Sequence, residues 1–356
     1  MGDVVIVTGA DLPTGRRIVT AALAEPDVDR VVAVGAHPSQ RRSLARIEGE
    51  AELVVAPFAL DDPRLAPLCE GATRLVLAGP RSGLDIDGTG GADVDLPATR
   101  SFLVMLARVA DVRRVVALSS ALVYGARPEN PVPMSEAAPV RPNLQIAASV
   151  DRAELERLCA IWARSRGASC AFVRPCVVVG QENGRWLSRS PWSTSGLLVS
   201  EPGPVQFVHV DDVADAMVRV CRSGIEGGVN VAPDGWLSYR EVRALRGPTA
   251  RLRLSRPVAV VLARIGERFG IAPVDPDTLV AVSAPWVVAN DLVRSLGWEP
   301  SHSNEEAYVV ADRGGPWARL TPRHRQQIAL GAAGSVALGA LATVAVVVRR
   351  RLRAAR

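Results

Sequence analysis

The first residues suited to chemistry form a glycine-bearing turn close to the start of the chain. The apolar run Val4–Val7 leads into Thr8-Gly9-Ala10-Asp11-Leu12-Pro13-Thr14-Gly15, and a helical stretch follows from Arg16. A strand that ends in such a turn and a helix N-terminus presents backbone N–H groups to a pyrophosphate. The pattern therefore predicts a dinucleotide site, with these candidate cofactor-binding residues: Thr8, Gly9, Ala10 and Gly15.

Basic chemistry in this chain depends on arginine alone. All 42 residues counted as Lys+Arg are arginines, and the chain has only three tyrosines, Tyr124, Tyr239 and Tyr308. Any mechanism that requires a lysine ammonium group beside a tyrosine hydroxyl is therefore excluded.

Composition indicates a globular protein that does not bind nucleic acid. Of the 356 residues 48% are hydrophobic and 22% charged, which is typical of a folded chain. The net charge of +5 comes partly from five arginines in 349–356, and the rest of the chain has no basic cluster interleaved with aromatic residues.

The five cysteines are odd in number and lack a CxxC pair, so we expect reduced thiols. The four histidines lack metal-ligand spacing, and no metal site is predicted.

Strand-length apolar runs alternate with helical stretches through the first half of the chain. The runs are Val31–Val34, Leu53–Val55, Leu75–Ala78, Val115–Leu118 and Cys170–Val173; the helical stretches are about Arg16–Ala24, Leu96–Val109 and Ser149–Arg164. Valine-rich strands that alternate with helices predict an α/β fold, a Rossmann-type doubly wound parallel sheet that binds ligands at the carboxyl ends of its strands.

The pattern divides the chain into five parts. Residues 1–180 form a predicted Rossmann-like dinucleotide-binding domain, and 181–310 a smaller, partly interleaved substrate-side region. An Arg-rich linker over 311–327, an apolar segment over 328–348 and a basic tail over 349–356 complete the chain.

The segment 328–348 has 21 residues without a charge and is long enough to cross a bilayer as one C-terminal transmembrane helix. The alternative is a buried terminal helix. Small residues recur every four positions, at Gly331, Ser335 and Gly339, which favours helix pairing in lipid and a homodimer; ordinary usage in an Ala/Gly-rich segment explains them equally. Because the N-terminus does not read as a signal peptide, we expect a single-pass protein of a bacterial-type cytoplasmic membrane whose soluble domain faces the cytoplasm.

Five landmarks in order give the chain a family resemblance. They are Thr8-Gly9-Ala10…Gly15, Ser119-Ser120-Ala121-Leu122-Val123-Tyr124-Gly125, Arg174-Pro175, Phe207-Val208-His209-Val210-Asp211-Asp212-Val213-Ala214, and Leu296-Gly297-Trp298-Glu299-Pro300. Over residues 3–310 the chain resembles an extended short-chain dehydrogenase/reductase of the NAD-dependent epimerase/dehydratase family, which acts on nucleotide sugars. The resemblance implies NAD or NADP as cofactor, a nucleotide sugar as partner, Ser120 as a substrate-activating residue, and Ala78, Arg152 and Pro175 among the cofactor-binding positions.

The cofactor positions depart from the family pattern. Leu12 stands where the family has the middle glycine of its turn, so it crowds the site or changes the turn. Gly35 stands where the family has the acid that takes the adenosine ribose. Arg41 and Arg42 follow and would pair with a 2′-phosphate, which favours NADP slightly; equally, they are solvated residues at the start of a helix.

The catalytic positions depart further. In the family a tyrosine serves as acid/base and a lysine four residues later lowers its pKa. Aligned on the predicted helix before Glu154, these positions are Ala148 and Arg152. Two hypotheses follow: a degenerate member that binds a nucleotide or nucleotide sugar, or a partner, without turnover, or an active NAD(P)-dependent epimerase/dehydratase with Ser120 and an atypical acid/base.

Overall fold

A computed structural model of the chain describes residues 2–35, 49–79, 94–180, 203–246, 281–282 and 284–311. The main sheet has seven parallel strands in the order β3-β2-β1-β4-β5-β6-β9. Their bounds are β1 Asp3–Thr8, β2 Val28–Val34, β3 Glu52–Ala56, β4 Arg74–Leu77, β5 Arg114–Leu118, β6 Ser169–Pro175 and β9 Gly227–Val231; a separate parallel pair is β7 Val177–Val179 and β8 Phe207–His209. The predicted Rossmann-type parallel sheet is confirmed.

Helices connect the strands. In chain order they are α1 Pro13–Leu23, α2 Leu65–Leu68, α3 Leu96–Val109, a 3₁₀ helix Ala121–Tyr124, α4 Ala147–Arg166, α5 Val210–Arg222, α6 Tyr239–Arg246, α7 Asp291–Ser295 and α8 Asn304–Ala311. The α3 bounds coincide with the predicted ones. The α4 helix begins two residues earlier and ends two residues later than predicted. Its C-cap, Gly167, adopts the left-handed conformation (φ 68°) that glycine takes without strain.

The sheet is covered by apolar side chains on both faces. Alternate residues of β1 enter two separate cores: Val5 and Val7 join one, and Val4 and Ile6 join the other. This follows from the two-residue period of a strand. The first core includes side chains of α1 and α5, and the second includes side chains of α3 and α4. Two buried faces explain why the strands read as continuous apolar runs rather than alternating ones.

The smaller part of the molecule is fastened to α5. The Asp212 carboxylate accepts hydrogen bonds from the Ser301 N–H (2.8 Å) and hydroxyl (2.5 Å), while its carbonyl accepts one from the Trp298 indole (2.9 Å). The α5 helix is capped by His209, whose side chain accepts a hydrogen bond from the Asp211 N–H. The acids at 211 and 212 therefore both lie in the first turn of α5.

The described residues cover part of the predicted division of the chain. The β9 strand comes from the 181–310 region and pairs with β6, so the large sheet continues past residue 180. Within the described residues, no helix is both long enough and apolar enough to cross a membrane. The predicted linker beyond 311, the 328–348 segment with Gly331, Ser335 and Gly339, and the basic tail all lie outside those residues.

Candidate functional site

The glycine-bearing turn lies where the strand order of the sheet reverses. Thr8, the last residue of β1, is level with the ends of β2 and β4, since it pairs in register with Val34 on one side and Leu77 on the other. The β1–β4 boundary is the topological switch point of the sheet, where open α/β folds bind their ligands. Thr8 is buried, and its hydroxyl has no hydrogen-bond partner among the described residues.

Two glycines allow the ends of β1 and β4 to approach each other. Gly9 has a φ of 61°, and a Cβ on it would come within 2.6 Å of the Gly79 Cα. A Cβ on Gly15 would overlap the carbonyl oxygen of Gly9, so this glycine allows α1 to pack closely on the turn. Ala10 and Ala78 are both fully buried beside these glycines in the sequence. Gly9, Ala10 and Gly15 therefore lie in one turn, and Ala78 follows β4 beside it.

Leu12 and Pro13 reduce the number of backbone N–H groups that the turn can donate to a phosphate. Leu12 has an extended backbone and is the N-cap of α1, so it needs no glycine-like conformation. Its N–H donates to the Gly9 carbonyl (2.9 Å), and Pro13, the first helical residue, has no N–H. A Cβ on Gly79 would contact the Leu12 side chain at 3.6 Å, which places a methyl group beside the crevice.

The adenosine end of the site contains an acid that the sequence did not assign. Gly35 follows β2, and a Cβ on it would lie 2.9 Å from Asp11 Oδ1. Asp11 thus brings a carboxylate to the end of β2, where the sequence analysis finds the family's acid missing. Asp62, which follows β3 in the chain, accepts hydrogen bonds from the Arg64 guanidinium, and these lower its pKa to about 2. Arg41 and Arg42 lie outside the described residues.

The catalytic edge of the site is built around Ser120. Its backbone is extended and its hydroxyl accepts a hydrogen bond from the Leu122 N–H (3.2 Å), which caps the 3₁₀ helix. The buried Ser149 hydroxyl donates to the Leu122 carbonyl (2.8 Å) and so fastens the first turn of α4 to this helix. Ala148 precedes Ser149 and is half-buried against the core. At the tyrosine position of the family, the site therefore has a methyl group.

Arg152 reaches the same edge from the next turn of α4. It is 1% exposed, and its Nη1 donates to the carbonyl oxygen of Leu118 (2.6 Å), the last residue of β5. Leu118 is two residues before Ser120, so the Arg152 guanidinium binds the backbone just ahead of this serine. It occupies the lysine position of the family and holds the end of a strand.

A buried polar network lies behind Ser120. Arg174 in β6 makes two hydrogen bonds with Glu156 (2.9 and 2.6 Å) and a third with the Tyr124 hydroxyl (2.8 Å). The tyrosine donates in turn to Asn230 Oδ1 (2.8 Å), and the Ser119 hydroxyl donates to Glu156 Oε1 (2.6 Å). The network joins β5, α4, β6 and β9 into one unit.

Burial and charge pairing shift the pKa values of two groups in this network. Burial raises the pKa of Tyr124, with Arg174 opposing the shift only in part. Burial acts to lower the pKa of Arg174, but its hydrogen bonds and charge pairing with Glu156 raise that pKa above its ordinary value. A tyrosine held neutral between two partners is a structural hydrogen-bonding group and a poor proton shuttle.

The two remaining tyrosines lie on other helices of the fold. Tyr308 in α8 is fully buried and lies 5.1 Å from Phe207 between ring centroids, while Tyr239 begins α6.

Pro175 ends β6, and Cys176 beside it is buried, which raises its thiol pKa well above the ordinary value. Cys176 also borders a small cleft whose other lining residues are Val177, Pro204, Val205, Gln206, Trp286 and Val287. No group of three or more possible metal ligands occurs in the described part of the chain.

The residues present fit a dinucleotide in part. The Gly9, Gly15 and Gly79 positions leave no room for a Cβ, which preserves the close backbone approach of a nucleotide turn. Asp11 supplies an acid at the ribose end. Of the residues that the sequence predicts for the nicotinamide end, Ala148 has a methyl side chain and Arg152 donates a hydrogen bond to the Leu118 carbonyl.

The sheet order and this turn define a doubly wound fold of the dinucleotide-binding class. The NAD dependent epimerase/dehydratase family matches residues 5–232, and the chain belongs to that family. Two uncharacterized proteins, of Mycobacterium bovis and Mycobacterium tuberculosis, are each 26% identical to it over 243 residues, or 66% of this chain. The chain aligns with 63% of the length of these relatives, which is less than two thirds.

Solved structures share the fold at low identity. MoeE5 in complex with UDP-glucuronic acid and NAD is 20% identical, with a TM-score of 0.63 over 87% of this chain and 97% of the other. DesIV, a dTDP-glucose 4,6-dehydratase of Streptomyces venezuelae solved with NAD, is 18% identical, with a TM-score of 0.64 over 86% and 95%. The structure named gox2253 is 25% identical, with a TM-score of 0.64 over 87% and 97%.

Proposed function

We propose that this chain binds a nucleotide or nucleotide sugar without converting it, and acts as a membrane-anchored binding or scaffold protein. One observation carries the proposal: the first turn of α4 offers Ala148 where the family has its acid/base, and a methyl group cannot transfer a proton. Arg152 retains a positive charge four residues later, but its bond to Leu118 gives it a role in the fold.

The tyrosines support the same conclusion. A replacement acid/base would need a hydroxyl with a pKa tuned towards neutrality. The pKa of Tyr124 is instead raised by burial, and its hydroxyl already serves Arg174 and Asn230. The buried Glu156 carboxylate, which accepts a hydrogen bond from the Ser119 hydroxyl, is held by Arg174.

The ligands proposed are those of the structural neighbours. MoeE5 has been solved with UDP-glucuronic acid and NAD, and the same protein with UDP-glucose and NAD. A bound nicotinamide cofactor would supply hydride transfer. In this chain the turn from Gly9 to Gly15 would hold its pyrophosphate, and Arg152 and Pro175 would border its nicotinamide end. The cofactor is NAD or NADP, and the preference for NADP that Arg41 and Arg42 suggest rests on residues outside the described ones.

Binding and turnover must be measured on the same preparation. We expect full-length protein in detergent to bind NAD(P) or a UDP- or dTDP-sugar in calorimetry. Incubated with both ligand classes, it should form no epimerised, dehydrated or reduced sugar above background by mass spectrometry. Absence of all binding would contradict the proposal.

The alternative function is an active epimerase/dehydratase with an atypical acid/base, favoured by the intact Ser120. Robust turnover in the parent protein that disappears in Ser120→Ala would establish it. Ser165→Ala is the matched control, because this exposed serine lies near the end of α4 and bonds only the Trp162 carbonyl.

The proposed anchor is the uncharged segment 328–348. We expect the full chain to fractionate with membranes and to resist alkaline carbonate extraction, whereas a chain truncated after Arg325 should not pellet. We further propose one span in a bacterial-type cytoplasmic membrane, with the folded part on the cytoplasmic side and a homodimer through the Gly331, Ser335 and Gly339 face. Recovery of the full chain in the supernatant would refute the anchor.

A further inference from the structure

We propose that Asp11, in the glycine-bearing turn, is the acceptor for the adenosine ribose hydroxyls and makes the site select NAD over NADP. The inference rests on the proposed function, because it assumes that a dinucleotide binds at this turn. It assigns the missing ribose acid to a residue on a different element from the one that the family pattern uses.

The geometry places Asp11 at the end of β2. A Cβ built on Gly35 would lie 2.9 Å from Asp11 Oδ1 and 3.2 Å from Asp11 Cβ. The carboxylate therefore fills the space from which a side chain at position 35 would start. An acid at position 35 and an acid at position 11 cannot both occupy this space, so glycine at 35 and aspartate at 11 form a matched pair.

The backbone on both sides of Asp11 is fixed. The Ala10 N–H donates to the carbonyl of Val34 (3.0 Å), which ties the turn to the last residue of β2. The Leu12 N–H donates to the Gly9 carbonyl (2.9 Å) and closes the turn. Because both neighbours are held, the Asp11 side chain leaves the turn at a defined place next to Gly35.

The carboxylate is available to a ligand. Asp11 is half-buried, and its side chain makes no hydrogen bond or ion pair within the described residues. Two acids elsewhere in the N-terminal half do have partners. Asp62 is paired with Arg64, and Asp29 accepts a hydrogen bond from the Gly2 N–H. A half-buried carboxylate without a partner, at the ribose position of a nucleotide fold, is suited to accept two vicinal hydroxyl groups.

The same charge discriminates between the two cofactors. A ribose 2′-hydroxyl donates a hydrogen bond to a carboxylate, whereas a 2′-phosphate brings a second negative charge against it. One charge-assisted hydrogen bond corresponds to about a tenfold or larger change in affinity. This expectation is the opposite of the slight preference for NADP that the sequence suggests from Arg41 and Arg42, which lie outside the described residues.

The test is calorimetric titration of the full chain, in detergent, with NAD and with NADP. We expect NAD to bind at least about tenfold more tightly than NADP. In Asp11→Asn, which keeps the shape and removes the charge, the ratio of the two dissociation constants should fall to near one. Asp111→Asn makes the same charge change at an exposed site that precedes β5, at the amino-terminal end of the strands. This control variant should leave the ratio of the dissociation constants as in the parent.

Each outcome separates this inference from the proposed function. Binding of both cofactors with equal affinity, or tighter binding of NADP, would overturn the role of Asp11 and leave the nucleotide-binding function intact. An unchanged ratio in Asp11→Asn would do the same. Failure of the folded parent to bind either cofactor, or 5′-ADP as the adenosine half alone, would overturn both. A variant that merely loosened the turn would weaken both cofactors alike, without moving the ratio.

Discussion

Arg152 Nη1 donates a 2.6 Å hydrogen bond to the carbonyl oxygen of Leu118, the last residue of β5. Both residues are buried, and Ser120 lies two residues beyond the carbonyl. A basic group at this position thus fixes the end of the strand that carries the serine. The positive charge of Arg152 therefore has a structural role in this chain.

Arg152→Ala should destabilise the protein, because it leaves the buried Leu118 carbonyl without this donor. An unsatisfied buried polar group costs about 1–3 kcal/mol, so we expect a loss of that size in the free energy of unfolding. Urea denaturation followed by circular dichroism would measure it. Arg164→Ala, near the exposed end of the same helix, is the control for loss of an arginine from α4. Equal stability of Arg152→Ala and the parent would show that the bond contributes nothing.

Tyr124→Phe should also lower the free energy of unfolding, by about 1–3 kcal/mol, since it leaves Arg174 and Asn230 each short of one buried partner. The change removes one oxygen atom and keeps the ring. Tyr239→Phe, at the start of α6, is the matched control and should stay within about 0.5 kcal/mol of the parent. The prediction fails if the two variants unfold at the same urea concentration.

The buried thiols predict an alkaline limit to stability. Burial raises the pKa of Cys221 to about 11 and that of Cys69 to about 12. A thiol whose pKa is raised in the folded state contributes stability that is fully present below its ordinary pKa and is lost as the pH rises through the folded value. We therefore expect the free energy of unfolding to decline between pH 9 and pH 12. Cys69→Ala should start lower and decline less steeply; an equal slope would contradict this cause.

Pro13→Ala should strengthen nucleotide binding, because it returns one N–H donor to the first turn of α1. A hydrogen bond to a charged group corresponds to about a tenfold gain in affinity. Pro97→Ala provides the control, since Pro97 lies in the first turn of α3, outside the glycine-bearing turn. Calorimetry with 5′-ADP would measure both. No gain in Pro13→Ala would mean that the missing donor is not what limits binding.

The sequence predicts the main sheet well because its strands are buried on both faces and so form continuous apolar runs. The run at Val115–Leu118 differs from β5 by one residue, and Leu96–Val109 coincides with α3. The family match over 5–232 covers the first four of the five landmarks read from the sequence. Element ends shift by a few residues, since they depend on local caps such as Gly167.

The contacts of the site could not be read from the sequence. Asp11 is a neighbour of Gly35 only because β1 and β2 are adjacent, and 24 positions separate the two in the chain. The bond from Arg152 to Leu118 depends on how α4 packs over β5. Spacing along the chain identifies which residue stands at a family position, but the partner it takes is set by tertiary packing.

The β9 strand has a consequence for how the protein can be divided. It covers β6 along residues 171–175 and reaches the sheet from beyond residue 180. A fragment that stopped at 180 would leave the N–H and C=O groups along one side of β6 unpaired, and such an edge recruits strands from other molecules. It would also remove Asn230, the acceptor of the Tyr124 hydroxyl. The N-terminal half is thus completed by residues from beyond 180, and the smallest piece that keeps all seven strands extends through residue 231.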